Sequence, residues 1–372
     1  MILWRSDFMD RNNMPLHVEE LTPRWMTRLF REQGLIDNLT TVRQIKATEI
    51  GNMAGANSDV VFLNIGYEDG IGPTKIIAKN TPKLGSSVAN FQRWFEREVD
   101  FYRVLAPSLR KVSSLVLPQS YYAEYRETEH GTEHLLLLEP LAAENQGDQL
   151  QGCSYDEAKR ALGALASLHA TYWDCSDEKH ISWLPYTTVG LHNAKPVQNA
   201  FRNAWELYKQ SAEITPLTAR LIDQAVDDYP DLLQSLSTPP VSIIHGDFRL
   251  DNLFFSKDFK VAAIDWQFTA KARGIYDVAY FLTLSMDKEL EQDELLSLLT
   301  FYNAELKRLG TPGYLFQELL ENYSTSVFLT FAVFVIGAVA TPPGRMAEVH
   351  KSGILRARRA IEALPGLPSF FS

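Results

Sequence analysis

The sequence changes character near residue 140, and this change constrains the fold more than any other feature. Before residue 140, short strand-like apolar runs predominate. After residue 150, apolar residues recur at spacings of three and four, which is typical of helices. A sheet-rich segment followed by a helix-rich segment predicts an α+β fold with two lobes. The predicted domains are an N-terminal lobe, 1–139, and a larger, mostly helical C-terminal lobe, 140–372.

The N-terminal lobe is predicted to form an antiparallel sheet with one main helix. A leading helix over 22–34 begins with Thr22 as N-cap and Pro23 in its first turn. The main helix is predicted over Ala89–Leu105, because its apolar residues form one stripe. The predicted strands are Val42–Ile50, Val60–Tyr67, Lys75–Lys79, Leu115–Tyr125 and His134–Leu138.

The C-terminal lobe is predicted to be helical apart from one interruption. Ser154 and Glu157 form a capping box for a helix that ends near Tyr172. The apolar run Val327–Ala340 is shorter than the roughly 18–20 residues that span a bilayer, so we expect a buried core helix there. The other predicted helices cover 197–211, 215–236, 276–286, 290–309, 314–340 and 345–363.

Charge and cysteine content bear on the partners and the compartment. The chain has 36 basic and 46 acidic residues, a net charge of −10, so its surface repels nucleic acid and anionic membranes. We therefore expect no nucleic-acid partner and no membrane span. The two cysteines, Cys153 and Cys175, form no disulfide framework or metal-binding pattern, and no secretory signal is visible. These features predict a cytoplasmic protein with reduced thiols, of undetermined oligomeric state.

The interruption in the helical pattern, Val241–Gln267, carries the residues with catalytic potential, and its catalytic loop is predicted over 243–267. Asp247 and Asn252 have the spacing D-x-x-x-x-N, and Asp265 ends a second apolar strand. Phosphoryl transfer from ATP needs a carboxylate to deprotonate the attacking hydroxyl and oxygen ligands for Mg²⁺. These three residues supply that set, with the spacing of the protein-kinase catalytic loop.

These motifs resemble the aminoglycoside phosphotransferase-like small-molecule kinases, a group that includes the choline/ethanolamine and ecdysteroid kinase-like proteins. The resemblance lies in HGDFRLDNLFF, AAIDWQ and GIYDVAYFL, and it extends to YDEAKRALGALASLHATYW and FEREVDFYRVLAP. It covers about residues 40–350. It implies a bilobal protein-kinase-like fold that uses ATP and Mg²⁺, with Asp247 as catalytic base and Asn252 and Asp265 as Mg²⁺ ligands.

ATP binding also requires a cation near the triphosphate. Lys79 ends the strand IIAK, where a kinase places its strand-three lysine. Two carboxylates of the main helix, Glu96 and Glu98, are candidate partners for this charge. Glu98 matches the family's R-E-V-x-F-Y pattern, whereas Glu96 would lie on a different helix face. We therefore predict a Lys79–Glu98 pair.

Two further segments are predicted to contact the nucleotide. Glycine and serine in the segment 50–59 would let backbone N–H groups approach phosphate oxygens, although an ordinary hairpin loop would use the same residues. The segment Glu139–Leu141 matches the family's lobe linker, whose backbone would pair with adenine, and Pro140 within it has no N–H. The predicted nucleotide-binding residues in these segments are Gly51, Gly55, Ser58, Glu139 and Leu141.

The sequence favours an ATP-dependent O-phosphotransferase that acts on a small-molecule hydroxyl, and two alternatives stay open. A catalytically inactive nucleotide-binding scaffold would usually lack the base, a metal ligand or the lysine, and this chain keeps all of them. A protein kinase would have an A-P-E sequence and a long segment after Asp265, but Asp277 follows too soon for one.

The acceptor and two loop residues are less constrained. His245 is expected to brace the loop by bonding to backbone or to Asp277, and Arg249 to steady the loop or to contact phosphate. In the family, an acceptor site would be built from about 170–210 and 310–350. Aromatic walls would suit a ring-containing or quaternary-ammonium alcohol, although helix packing claims most such residues. The candidates are Trp173, Trp183, Tyr186, Trp205, Tyr208, Tyr314 and Tyr323.

Overall fold

The computed structural model of the chain describes residues 15–49, 59–81, 92–128, 131–258 and 260–364. The chain divides into two units. Unit 1 contains Met1–Pro107 and Pro118–Leu141, and unit 2 contains Ser108–Leu117 and Ala142–Ser372. The domain boundary predicted at residue 139 therefore lies close to Leu141, while the segment Ser108–Leu117 belongs to unit 2.

Unit 1 is built on a five-stranded antiparallel sheet with the strand order β1-β2-β3-β5-β4. On the central strand, Lys79 pairs with Val60 on one side and with Leu136 on the other. This sheet, together with the helical unit 2, confirms the predicted α+β class. The strands are β1 (Thr41–Glu49), β2 (Asp59–Glu68), β3 (Lys75–Asn80), β4 (Ser120–Thr128) and β5 (Gly131–Leu138).

Two helical stretches accompany the sheet. Helix α1 (Pro23–Glu32) begins where the Thr22 side chain accepts a hydrogen bond from the Trp25 N–H, as its N-cap sequence predicts. Its buried face contributes Trp25, Met26 and Phe30 to the core beneath the sheet. The main helix continues beyond its predicted end. It consists of α2 (Gln92–Asp100), a π-helical turn (Phe101–Leu105) and α3 (Ala106–Val112).

Unit 2 contains most of the helices, and the predicted capping box of Ser154 and Glu157 is present at the start of its first one. The prediction of one continuous helix over 215–236 is wrong. Pro230 has no N–H, and its ring would clash with the preceding turn of a continuous helix, so two helices form instead. The helices are α4 (Tyr155–Thr171), α5 (Ala194–Lys209), α6 (Pro216–Asp227), α7 (Tyr229–Ser235), α8 (Ile275–Ser285), α9 (Gln292–Arg308), α10 (Phe316–Ala340) and α11 (Arg345–Glu362).

Helix α10 is the core helix predicted from its apolar run. By length and composition alone it could cross a membrane, but 67% of its most apolar window is buried within the protein. Val327, Phe331 and Val335 are almost completely buried along one side of it. Its apolar character is therefore explained by packing inside unit 2.

Two short antiparallel strand pairs form the interruption in the helical pattern. Strand β6 (Ser242–Ile244) pairs with β9 (Ala270–Ala272), and β7 (Leu253–Phe255) pairs with β8 (Val261–Ala263). The strand predicted over Leu115–Tyr125 is wrong in its first half, because Val116 bonds instead to Val261 and Ala263 at the edge of β8. Pro118, which has no N–H to donate to a sheet, precedes the start of β4.

Candidate active site

The loop between β6 and β7 is fixed at the residue before Asp247. Gly246 has φ +85°, and a Cβ atom at this position would overlap the Phe268 carbonyl oxygen, so only glycine fits. The backbone N–H groups of His245 and Gly246 donate to the two Asp277 carboxylate oxygens, at 2.7 and 2.9 Å. Asp277 is fully buried in the first turn of α8. The Asp277 side chain therefore anchors the loop by accepting hydrogen bonds from two of the loop's backbone N–H groups.

His245 braces the loop, as the sequence predicts. Its Nε2 lies 2.9 Å from the Ile264 carbonyl oxygen, and its Nδ1 accepts from the Asp247 N–H at 3.2 Å. Because a carbonyl only accepts, this bonding makes Nε2 the donor and Nδ1 the acceptor. His169 also has a structural position, since its Nε2 lies 3.3 Å from the Asp277 carboxylate in the buried interior.

The Asp247 side chain is held by donors from three residues. It is 8% exposed. The Tyr280 hydroxyl donates to Oδ1 at 2.8 Å, the Asn252 Nδ2 donates to Oδ2 at 2.9 Å, and the Arg249 Nε reaches both oxygens at 3.2 and 3.3 Å. Burial, followed by the charge of Asp247, raises the pKa of Tyr280 well above its usual value, so the phenol stays protonated. The arrangement fixes the carboxylate in one orientation.

Asn252 and Asp265 flank the paired strands β7 and β8. The Ile264 N–H donates to the Asn252 carbonyl at 3.0 Å. Because Asp265 follows Ile264, this bond brings the backbone of one predicted metal ligand close to that of the other. The Asn252 amide nitrogen donates to Asp247, so its Oδ1 is the atom that can coordinate a metal. Asp265 has φ +66°, in the sparsely populated left-handed region.

This donor set fits Mg²⁺. Magnesium prefers oxygen ligands and usually takes one or two from the protein, with the rest from water and substrate phosphates. Within the described ranges, no group of three or more His, Cys, Asp or Glu side chains could hold a metal ion by itself. One amide oxygen and one carboxylate therefore match an ion that is shared with a polyphosphate.

Arg249 lies between two carboxylates of its own loop. Besides Asp247, its guanidinium contacts Asp251, with Nη1 2.7 Å from Oδ2. Burial lowers the pKa of Arg249, but the charges of Asp247 and Asp251 outweigh it and raise the pKa above its usual value. The structure thus supports the loop-steadying role among the two considered for this residue.

In unit 1, the predicted Lys79–Glu98 pair is present. The Lys79 Nζ lies 2.6 Å from the Glu98 Oε2, and the two side chains are 12% and 1% exposed. Glu96 accepts a hydrogen bond from the Thr132 hydroxyl instead, at 3.1 Å. Burial, and then the Lys79 charge, lower the pKa of His134 well below its usual value. A largely buried cation is therefore held near the end of strand β3.

The segment after β5 shows which backbone groups are already engaged. The Glu139 N–H donates to the Gln119 carbonyl at 2.8 Å, and the Glu139 carboxylate accepts from the Gln119 N–H at 3.1 Å. A ligand could therefore use the Glu139 carbonyl but not its N–H. The other predicted nucleotide-binding residues, Gly51, Gly55 and Ser58, lie outside the described residues.

Several aromatic residues proposed for the acceptor site belong to the core. Trp205 is buried, stacks on Tyr208 and packs edge-on against Phe331. The buried Tyr314 hydroxyl accepts a hydrogen bond from the Gly274 N–H at the start of α8, and Tyr323 is also buried. These rings serve packing, and the location of the acceptor site stays a prediction.

Two contacts of the loop were not found from the sequence. Tyr280 carries a recognisable signal, because it follows Asp277 by three residues and so shares a helix face with that anchor. Arg345 carries none. Its guanidinium holds Asp251 through two bonds, Nη1 to Oδ2 at 2.8 Å and Nη2 to Oδ1 at 2.9 Å, yet it lies in a partly exposed helix far along the chain.

Solved structures of small-molecule kinases share this fold. A predicted aminoglycoside phosphotransferase from Ralstonia eutropha superposes with a TM-score of 0.55 and 16% identity, over 91% of this chain and 97% of its own. Choline kinase from Cryptosporidium parvum gives 0.54 and 11%, over 92% and 96%. An amicoumacin kinase in complex with AMP-PNP and Ca²⁺ gives 0.50 and 13%, over 90% and 92%. At these identities the likeness establishes a kinase-like fold.

The sequence itself defines the family. The profile of the ecdysteroid kinase-like family matches residues 63–311, more than half of the chain, and the protein belongs to this family. The matched range includes Lys79, Glu98 and the whole loop from His245 to Asp265. No curated protein matches the chain significantly. The resemblance drawn from the sequence motifs is therefore confirmed.

Proposed function

We propose that this protein is an ATP-dependent phosphotransferase that phosphorylates a hydroxyl group of a small molecule. The observation that carries the proposal is the buried Asp247 carboxylate, which is oriented by Asn252 and Tyr280. A second acidic residue, Asp265, follows Ile264, whose N–H donates to the Asn252 carbonyl. Membership of the ecdysteroid kinase-like family and the likeness to small-molecule kinases support it. The acceptor is undefined.

In the proposed reaction, Asp247 is the general base. It orients the acceptor hydroxyl and takes its proton as the oxygen forms a bond to the γ-phosphorus and the bond to ADP breaks. The donors on both carboxylate oxygens hold the group in place, so positioning and proton transfer depend on the same loop. The geometric demand is high, because a displacement of 1 Å can cost about 10²-fold in rate.

The other predicted residues would bind the nucleotide. Mg²⁺, when bound, would neutralise charge on the triphosphate, and the Asn252 Oδ1 with the Asp265 carboxylate would hold it. Lys79, positioned by Glu98, would contact the phosphates. The backbone of the loop with Gly51, Gly55 and Ser58 would approach the phosphate oxygens, and the Glu139 carbonyl and Leu141 N–H would pair with adenine.

Two features bear on the alternatives and the compartment. Against a protein kinase, the stretch after Asp265 enters the short strand β9 and then α8, without room for a long activation segment. In favour of a reducing compartment such as the cytoplasm, Cys153 and Cys175 are both free and buried, and burial raises the pKa of each thiol to about 12. The inactive scaffold is distinguished by experiment.

The test compares the wild-type protein with Asp247→Asn in an ATP-consumption screen over amino alcohols, aminoglycosides, macrolides and hydroxylated lipids or sterols. Asparagine keeps the size of the side chain and removes its basicity, so turnover should fall by about 10²–10⁴-fold. Asp258→Asn is the matched control, an exposed aspartate in the turn after β7. Near-normal turnover in Asp247→Asn would refute the base assignment, and nucleotide binding without transfer to any alcohol would favour the scaffold.

A further inference from the structure

A chain of ion pairs connects the last helix to the catalytic loop. Arg345, the first residue of α11, binds both carboxylate oxygens of Asp251 and also contacts Asp148, with Nη2 3.1 Å from Oδ1. Asp251 in turn binds the Arg249 guanidinium, which binds Asp247. The side chains of Asp251 and Arg249 are only 14% and 12% exposed, and Arg345 is 42% exposed. These ion pairs therefore connect the partly exposed Arg345 with the proposed base, Asp247.

The segment preceding α4 strengthens this connection. The Gln149 N–H donates to the Asp251 Oδ1 at 3.0 Å, and its side-chain oxygen accepts from the Leu250 N–H at 2.8 Å. Arg356, three turns further along α11, donates to the Gln149 carbonyl at 2.9 Å. Helix α11 thus bonds both to Asp251 and to the segment whose Gln149 N–H donates to Asp251.

His350 is a further residue of α11, and it packs against Phe334 of α10. Burial, and then the Arg249 charge, lower the pKa of His350. The bonds of Arg345 to Asp251 place the start of α11 beside the catalytic loop. Helix α11 also lies beyond residue 311, where the match to the family ends, so the family's motifs do not account for these contacts.

We propose that Arg345 is a positioning residue for the phosphoryl transfer, acting on Asp247 through Asp251 and Arg249. The inference rests on the proposed function. Arg249 is shared between two carboxylates, and its bonds to Asp247, at 3.2 and 3.3 Å, are longer than its bond to Asp251, at 2.7 Å. Arg345 supplies Asp251 with a second cation. Without it, Asp251 draws Arg249 toward itself, and the Asp247 carboxylate loses one of its orienting donors.

The experiment measures steady-state kinetics of the full chain with ATP and an accepted alcohol. Arg345→Met should lower kcat roughly tenfold, less than the 10²-fold of a 1 Å displacement, and leave the KM for ATP unchanged. Arg345→Lys should restore part of the rate, because it keeps the charge but cannot bind bidentately. Arg359→Met is the matched control on the same helix, an exposed arginine paired with Glu289, and should leave kcat unchanged.

A double-mutant cycle tests the route. Asp251→Asn should lower kcat on its own, and adding Arg345→Met should cause no further loss, because both variants interrupt one chain. The inference is overturned if Arg345→Met has the same kcat as Arg359→Met, or if its effect multiplies that of Asp251→Asn. A fall in thermal stability common to Arg345→Met and Arg359→Met does not enter the comparison, because kcat is taken below the melting transition of each variant.

A readout without turnover separates this inference from the proposed function. In ¹H–¹⁵N spectra, the Arg249 Nε–H resonance should move in Arg345→Met and stay in place in Arg359→Met. An unmoved resonance contradicts the coupling whether or not the protein is active. Conversely, failure of the wild-type protein to phosphorylate any alcohol defeats the proposed function, while the resonance still decides whether Arg345 acts on the loop.

Discussion

In unit 1, Lys79 of strand β3 and Glu98 of helix α2 meet in a direct ion pair of 2.6 Å. In unit 2, the Asp247 carboxylate is reached by three donors, and its loop is anchored by the buried Asp277. In unit 1, a single contact between the side chains of a strand and a helix positions the Lys79 charge. In unit 2, several hydrogen bonds, from side chains of the loop and of α8 and to the loop backbone, position the Asp247 carboxylate.

The difference has a physical consequence. Breaking a buried pair by neutralising one partner leaves the other charge uncompensated, so its cost should appear mainly as lost stability. Losing one donor from a network leaves the remaining hydrogen bonds in place, so its cost should appear mainly as a change in the orientation of the carboxylate. The two sites should therefore respond differently to substitutions of similar size.

The largest stability effect is expected at the ion pair. Glu98→Gln leaves the Lys79 charge without its carboxylate and should lower the free energy of unfolding by about 3 kcal/mol, near the lower end for a buried pair because Lys79 keeps some exposure. Adding Lys79→Met should recover most of this loss without recovering activity. The measurement is urea unfolding.

The control for that prediction is Glu32→Gln, which breaks an exposed pair with Arg28 on α1 and should cost no more than about 0.5 kcal/mol. Equal losses in Glu98→Gln and Glu32→Gln would mean that the pair contributes no more than a surface contact.

A smaller stability loss is expected at the loop anchor. In Asp277→Asn, the amide nitrogen would face one of the two backbone N–H donors, of His245 or Gly246, and one unsatisfied buried donor costs about 1–3 kcal/mol. Asp293→Asn is the matched control, an exposed aspartate in the first turn of α9. If both variants lowered the melting temperature equally, the bonds of Asp277 to the loop would contribute no stability beyond that of a carboxylate in the first turn of a helix.

The smallest expected effect is a pH dependence of the free energy of unfolding that comes from His134, a neighbour of Lys79. The pKa of His134 is lowered in the folded protein, so near and below pH 6.5 the unfolded chain binds more protons. This contribution to stability is present above pH 6.5 and is lost as the pH falls toward the lowered value. It should amount to about 1 kcal/mol between pH 7 and 5.5.

His134→Gln should flatten that dependence in unfolding measurements, because glutamine does not titrate. His180→Gln is the matched substitution at a half-exposed histidine, against which the slope of His134→Gln is compared. An unchanged slope in His134→Gln would show that His134 does not remain neutral as the folded protein is acidified.

Much of the fold was predictable because local patterns determine it. The Thr22 N-cap and the Ser154–Glu157 capping box fixed helix starts correctly, and the apolar run of α10 predicted its burial. The errors arose where tertiary contacts outweigh local pattern. The segment around Val116 is apolar enough for a strand of unit 1, but it pairs with β8 in unit 2.

The residues of the site also divide into those that local sequence predicts and those that depend on tertiary contacts. Asp247, Asn252 and Asp265 are close in the sequence, and their spacing reflects one hairpin. The partner of Lys79 was chosen correctly because Glu98 matches the family's R-E-V-x-F-Y pattern, and helical periodicity places Glu96 on a different face. Arg345 could not be predicted, since an arginine at the start of an exposed helix has many possible partners, and only the packing of α11 selects Asp251.

In the proposed function, Lys79 of unit 1 binds the nucleotide and Asp247 of unit 2 takes the proton of the acceptor hydroxyl. The most direct test records turnover and the thermal shift caused by a non-hydrolysable ATP analogue with Mg²⁺, on Lys79→Met and Asp247→Asn, with the exposed Lys75→Met as control on the same strand. At about 100 times Kd the analogue adds about 2.7 kcal/mol, a shift of a few degrees. We expect Asp247→Asn to keep the shift and lose turnover, and Lys79→Met to lose both. A shift retained in Lys79→Met and lost in Asp247→Asn would contradict the account.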